Sequence, residues 1–508
     1  MYDIVIIGAG SAGCAIAARA SENPNLRVLL LEAGPDYGDL AATPFDLVNG
    51  HVNSLSDHDW GLTYHPTRER PVRFPRGRVT GGSSAVNTAI ALRGMPEDYD
   101  EWAAAGNPEW SWAGVLPAFK RLERDLDFGE RDYHGDAGPI SIRRYPLNEM
   151  ALQHQAFLEA ARGLGYPDCP DANDPAGWGS GPQPMNKLGQ LRVSCAVGYL
   201  APARIRPNLT IRPLTFVNRL LIEGGKCTGV EARTADGGTE TISGRLIVLA
   251  AGAIMSPTIL MRSGVGARDQ LEAHGIPLLS GMPGVGQNLC DHPALSVSCT
   301  AKDPAIVDTS LPIIQSILRY TAPGSPQRND LQIEMLTFNG RRAGEPTFGI
   351  AGVVEYQYGR GELRLQSADP DIGPLIDNRF CEDARDLARL VGCYKDVLAF
   401  TRAGPIADMV DAVVFPRGGE ARDEDIAGLC RRYAASGYHP SGTAKMGPAS
   451  DPMAVVGQYG QCHGLDQLVI ADASIMPSVP RANTNLTAIM IGEKIGEWLR
   501  TRPGIYGL

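Results

Sequence analysis

Residues 2–13 read YDIVIIGAGSAG, a short β-branched run that breaks at Gly8, Gly10 and Gly13 and passes into the alanine-rich CAIAARA. The pattern is strand, tight turn, helix. A second apolar run, RVLLL at 27–31, ends in Glu32, about 20 residues beyond the glycines, as in a dinucleotide-binding βαβ unit. Each position has a physical duty. Gly8 permits the turn, Gly10 lets the backbone approach a pyrophosphate, and Gly13 lets the helix lie close to the sheet. The helix N-terminus then presents free N–H groups to the anion. Glu32, with Ala33 beside it, is placed to accept hydrogen bonds from ribose hydroxyls, and its charge repels the extra phosphate of NADP. The fingerprint alone does not choose between NAD and FAD.

At 508 residues the chain is longer than one hydrophobic core usually supports, so two domains are expected. A net charge of −10 gives no basic face with which to replace the counterions of a nucleic acid. Ten cysteines without a C-x-x-C pair indicate neither a zinc site nor a disulfide framework, so no metal is expected and buried thiols in a reducing cytoplasm are. The uncharged stretch 4–18 lacks a basic segment ahead of it and is interrupted by glycines, which argues against a signal peptide or membrane span.

Further along, 76–88 (RGRVTGGSSAVNT) is a glycine- and serine-rich loop suited to offering backbone donors to an anion or ring. Segments 209–222 and 226–234 alternate as strands, and 234–241 (TADGGTET) carries hairpin turn signals. LIVLA at 246–250 and LVIA at 468–471 read as buried strands, and 486–499 as a helix with Ile489, Ile495, Trp498 and Leu499 near one face. Residues 301–436 have longer connections and alternating runs, as expected of a second, sheet-based domain. Asp291 and His292, in GVGQNLCDHP, read as structural. YHPSGTAKMG at 438–447 fixes one histidine behind a proline and surrounds it with small residues, and Tyr438 is placed beside that pocket.

Several of these stretches occur together in order: GAGSAG with Glu32, PRGRVTGGSSAVN (75–87), LAAGAIMSPTILMRSGVG (249–266), PGVGQNLCDHP (283–293), HPSGTAKMG (439–447) and VIADASIMPSVPRANTNLTAIMIGEK (469–494). On these the chain resembles the glucose-methanol-choline (GMC) oxidoreductases. The resemblance implies an α/β fold: a Rossmann-like FAD-binding domain assembled from 1–150, 191–300 and 437–508, and a substrate domain with a large antiparallel sheet drawn from 151–190 and 301–436. It implies that Gly8, Gly10, Gly13, Glu32 and Ala33 hold the adenosine half of FAD and that Gly82 and Asn87 lie beside the ring. Val217 would contact the adenine region, Asp472 and Ala473 the pyrophosphate and ribityl chain, and Asn485 the flavin. His439 and Asn483 would be the catalytic pair. Val86 stands where some relatives attach their flavin through a histidine, so non-covalent FAD is expected.

The implied reaction is oxidation of a primary alcohol to the aldehyde, with His439 taking the hydroxyl proton, hydride passing to flavin N5, and O₂ or another acceptor reoxidising the cofactor. An imidazole titrating near working pH suits the base role. Segments 127–140 and 480–485 are similar to those of oxidases of furanic and aryl alcohols and of choline-oxidising members. A fixed cation would need an acidic or aromatic cage; only Glu334, Glu355, Tyr356 and Tyr358 suggest one, so an uncharged alcohol is favoured. A non-redox lyase acting on a cyanohydrin, a choline dehydrogenase-like enzyme using a non-oxygen acceptor, and a flavin-binding protein without turnover remain as alternatives.

Overall fold

A computed structural model of the chain describes residues 1–68, 70–339, 346–416 and 423–508; positions 340–345 and 417–422, in the segment assigned to the second domain, lie outside them. Strand Tyr2–Ile7 sits near the middle of a parallel sheet ordered Leu209–Arg212, Val28–Leu31, Tyr2–Ile7, Thr239–Leu249 and Leu468–Ile470. Val28–Leu31 and Leu468–Ile470 are buried at every position, which is why they read as unbroken apolar runs rather than alternation. Pairing Ile7 with both Leu31 and Leu249, and Leu249 with Ile470, brings the carboxyl ends of four strands to one edge. Open parallel sheets bind ligands at that edge.

Thr239–Leu249 serves two structures. Its first half pairs antiparallel with Lys226–Arg233, which in turn pairs with Phe216–Glu223; from Gly244 onward it pairs parallel with Tyr2–Ile7. The hairpin expected at 234–241 is present, and Gly237 takes a φ of +84° in its turn.

Two helices lie unusually close. A Cβ at Gly13 would stand 1.9 Å from the Gly8 carbonyl oxygen, so helix Ser11–Ala20 rests directly on the turn. Helix Thr484–Thr501 then packs on Ser11–Ala20, where a Cβ at Gly492 would stand 2.5 Å from the Ala12 oxygen. This last helix is buried well beyond the single apolar face expected, Glu493 and Lys494 included. Glu493 pairs with Arg19 at 2.9 Å, and Lys494 donates to the Gly114 carbonyl at 2.8 Å.

The second sheet is antiparallel, in the order Val410–Phe415, Pro293–Ala301, Thr347–Val354, Leu331–Leu336, Ser316–Tyr320 and Gly179–Pro182, with helix Ala384–Thr401 against it. Pro293–Ala301 belongs to this sheet, so the junction falls ahead of Pro293 rather than at 300. The short strand Ala435–Ser436 also pairs with Pro293 and Ala294. The loop carrying His439 therefore leaves the second sheet directly.

Around segment 127–140 the residues Glu123, Asp125, His134 and Arg144 join Arg93 and Asp171 in a buried ionic knot. Glu123 meets Arg93 at 2.6 Å and His134 at 2.8 Å; Asp171 meets His134 at 2.9 Å and Arg144 at 2.6 Å. Burial opposes a charged His134, yet Asp171 and Glu123 hold its imidazole above the usual range. Three carboxylates, Asp125 included, thus face three cations. Among the described residues no helix is long and apolar enough to cross a membrane.

Replacing Gly492 by Val forces the two packed helices apart. The expected cost is about 1–3 kcal/mol, read as a lower denaturant midpoint in equilibrium unfolding.

Candidate functional site

The carboxyl edge of the parallel sheet opens into a cleft of about 1720 Å³, counting the solvent space at its mouth. Gly8, Gly10, Glu32, Ala33, Gly82, Asn87, Val217, Asp472, Ala473, His439, Asn483 and Asn485 all line it. Gly13 does not; it lies within helix Ser11–Ala20, on the side packed against the Gly8 turn.

The residues at one part of this cleft form a cradle for a dinucleotide. Gly8 has a φ of +99°, and a Cβ there would stand 2.6 Å from the Ala250 oxygen. At Gly10 a Cβ would meet nothing within 4 Å, so its empty side faces the cleft. Gly82, at a φ of +52°, presses on Gly10, where its Cβ would reach 2.7 Å from the Gly10 Cα. Glu32 holds the turn through both oxygens, accepting from Ala9 N–H and Gly34 N–H at 2.9 Å each. Burial pushes its carboxyl up to about 7, against these hydrogen bonds. Asp472 accepts from Gly252 N–H, Ser256 Oγ and Ser474 N–H, fixing the start of helix Gly252–Arg262 at the cleft wall.

Asn485 accepts from Ser11 Oγ at 2.8 Å, while its Nδ2 is buried without a hydrogen-bond partner among the described residues. A buried donor left open in a native fold calls for a ligand or water. The glycine cradle and this orphan amide fit a dinucleotide such as FAD. Val86, also lining the cleft, has no nucleophilic atom.

The catalytic candidates meet in the same cleft. Tyr438 adopts a φ of +67°, uncommon for a bulky residue, and Arg76 donates to its carbonyl at 3.0 Å. This turn, followed by Pro440, directs His439 inward. Asn483 Nδ2 donates to His439 Nε2 at 3.1 Å, which assigns that nitrogen as an acceptor; His439 Nδ1 lies 2.9 Å from Nδ1 of His292. Burial first, then His292 and Arg76, hold His439 well below the usual imidazole range. It is a neutral base at physiological pH.

Asp291 and His292, expected to be structural, divide. Asp291 is a clamp: its Oδ1 accepts from the backbone N–H groups of His292 and His439 at 2.8 and 2.9 Å, and its Oδ2 from Asn378 at 3.0 Å and from Ser436. His292, by contrast, touches the His439 imidazole. The sequence holds a signal for this only in hindsight, since nothing in GVGQNLCDHP says which loop the histidine faces. Arg76, in the quoted PRGRVTGG stretch, was passed over as a cleft-lining cation.

Gly10→Val places its side chain in open space, so stability should stay within about 1 kcal/mol. Flavin content of the purified protein, read from its visible absorbance, should fall sharply.

Residues 2–294 and 357–492 match the N- and C-terminal models of the GMC oxidoreductase family. The chain is 36% identical to a 5-(hydroxymethyl)furfural oxidase of Methylovorus sp. (strain MP688), covering 99% of both chains. It is 34% identical to the mitochondrial choline dehydrogenase of Mus musculus, over 99% of this chain and 90% of that one. Among solved structures, pyridoxine 4-oxidase from Mesorbium loti superposes with a TM-score of 0.90 at 29% identity, covering 98% of each chain. With the glycine cradle and the His439–Asn483 pair in one cleft, the chain belongs to the GMC oxidoreductase family and is an FAD-dependent alcohol oxidoreductase.

Proposed function

We propose that the protein oxidises an uncharged primary alcohol, aryl or furanic, to its aldehyde, with non-covalently bound FAD. The observation that carries this reading is the contact of Asn483 with His439 Nε2 inside the cleft that holds the glycine cradle. When bound, FAD supplies the hydride acceptor, and O₂ or another oxidant restores it. The chain's own part is proton chemistry and positioning.

An alcohol hydroxyl entering the cleft meets His439 Nε2, which accepts its proton. As the oxygen becomes alkoxide-like, the Asn483 amide offers it a hydrogen bond. Asn483 Oδ1 is buried without a partner among the described residues and is free to accept from a substrate hydroxyl before the transfer. Because His439 is depressed, its free-base form persists below 6.5, so no loss of base should occur there.

The charges around the cleft favour a neutral substrate. Glu32 and Asp472 are the only carboxylates among its described lining residues, and both are committed to backbone N–H groups. Beside His439 the charged group on the cleft lining is the cation Arg76, while Asp291 lies behind the His439 backbone. The sequence's candidate cage is not available to a quaternary ammonium: Arg385 and Arg389 cover Tyr358 at 3.9 and 4.8 Å from its ring centre, and Arg481 covers Tyr356 at 5.3 Å. Glu334 and Glu355 are buried outside the cleft lining. The furfural-oxidase relative thus fits better than the choline dehydrogenases. All ten cysteines are free and buried, which suits a reducing cytoplasm.

The test is anaerobic mixing of the purified holoprotein with benzyl alcohol, 5-hydroxymethylfurfural, 1-butanol and choline, following flavin absorbance. Bleaching by an aryl or furanic alcohol is expected; fastest reduction by choline overturns the substrate assignment, and no bleaching by any overturns the reaction. His439→Ala should keep its FAD and lose roughly 10²–10⁴-fold in reduction rate, and Asn483→Ala roughly 10²–10³-fold. The wild-type rate should show no inflection near pH 6.5.

A further inference from the structure

We propose that Glu355, in the second domain, is a positioning residue for this reaction: through His292 it shares the positive charge that His439 acquires on taking the alcohol's proton. This rests on the reading of His439 as the base.

His292 is fully buried, and its Nδ1 sits between two partners, His439 Nδ1 at 2.9 Å and Glu355 Oε2 at 3.4 Å. Glu355 follows strand Thr347–Val354 and is 1% exposed. Neither of its oxygens has a hydrogen-bond partner among the described residues. Its wider surroundings are Arg319, Glu334 and Asp98, but the Arg319 guanidinium is turned to the carbonyls of Ala172 and Arg481. A carboxyl so poorly satisfied adds nothing to packing that an apolar residue would not. What it does have is contact with an imidazole that touches the base.

The proton bookkeeping closes. The substrate O–H bond breaks and an N–H bond forms at His439 Nε2. The Nδ1–H bond of His439 then breaks as Nδ1–H forms on His292, which already carries its other proton on Nε2. The cluster begins negative, with Glu355 ionised, and ends neutral. Burial, only partly offset by the backbone of Pro480 and Glu355, holds His292 down at about 3, and the carboxylate placed to stabilise its protonated form is 3.4 Å from its Nδ1. Glu355 is the carboxylate in that position. Burial, opposed by Arg319, pushes its own carboxyl up to about 8. The ionised form, and with it the relay, therefore gains population as pH rises through that value. Of the two groups that face His439, His292 and Arg76, Arg76 is already cationic and takes no proton, which leaves His292 as the acceptor.

The experiment follows anaerobic flavin reduction by the fastest alcohol of the panel above, as a function of pH, in wild type and Glu355→Gln. Wild type should rise through an ionisation near 8. Glu355→Gln should bind FAD and alcohol normally, lose that ionisation, and fall roughly 10²-fold at high pH. Independently of turnover, infrared titration of the resting holoprotein should show a protonated carboxyl band that disappears as pH rises through about 8 and is missing in the variant. A wild-type profile and rate in Glu355→Gln overturn the proposal. Should that variant not accumulate, His292→Gln breaks the same link, and a retained ionisation there overturns it equally. The two readings fail separately: undiminished reduction by His439→Ala removes the base assignment itself, whereas an inactive His439→Ala beside a normal Glu355→Gln removes only the relay.

Discussion

The active geometry depends on one carboxylate removed from water. Burial raises the carboxyl of Asp291, and no ion pair neutralises it; it is held by hydrogen bonds converging from residues 292, 378, 436 and 439. Such a group is tolerable in a protein interior only if its acceptor sites are filled. Filling them ties together three segments that are remote in sequence, at 291–292, 378 and 436–439, two of which carry the paired histidines. The orientation of His439 is thereby set by the interior rather than by a surface loop, which is the preorganisation that catalysis by a positioned base requires.

The same economy governs the charges at the cleft. Carboxylates at its wall are spent on backbone N–H groups, guanidinium groups cover the nearby aromatic rings, and the base is kept uncharged by burial. Apart from the cation Arg76, what remains exposed to a ligand is neutral hydrogen-bonding capacity and apolar surface. A neutral imidazole in such a place loses little to solvation when it accepts a proton next to an alkoxide, because the developing charges compensate each other at short range.

The sheet edge was legible because its rules are local. Glycines at 8, 10 and 13, the apolar runs at 27–31 and 246–250, and the Asp-Gly turn at 236–237 each specify backbone shape within a few residues. The position of strand Pro293–Ala301 was less so, since a strand beginning at a proline beside a glycine-rich loop carries no mark of which sheet it joins. Contacts between distant segments were hidden altogether. Neither the His292–His439 pair, 147 residues apart in sequence, the arginines over Tyr356 and Tyr358, nor the ionic knot around His134 can be read from spacing, because each is decided by tertiary packing. Helix Thr484–Thr501 shows the intermediate case: its period gave the helix, but its burial on all sides, with Glu493 and Lys494 inside, followed from glycines at 492 and 496 that let a neighbour in.

That close helix pair has a consequence for biogenesis. The sheet's first strand comes from residues 2–7, but the strand at 468–470 and the helix that clamps the first turn come from the other end of the sequence. A nascent chain on the ribosome therefore displays an unfinished nucleotide cleft throughout most of translation. Closure waits on contacts of very large sequence separation, which are slow to form. The nucleotide cleft is accordingly complete only once residues 468–501 have joined the sheet laid down by residues 2–31.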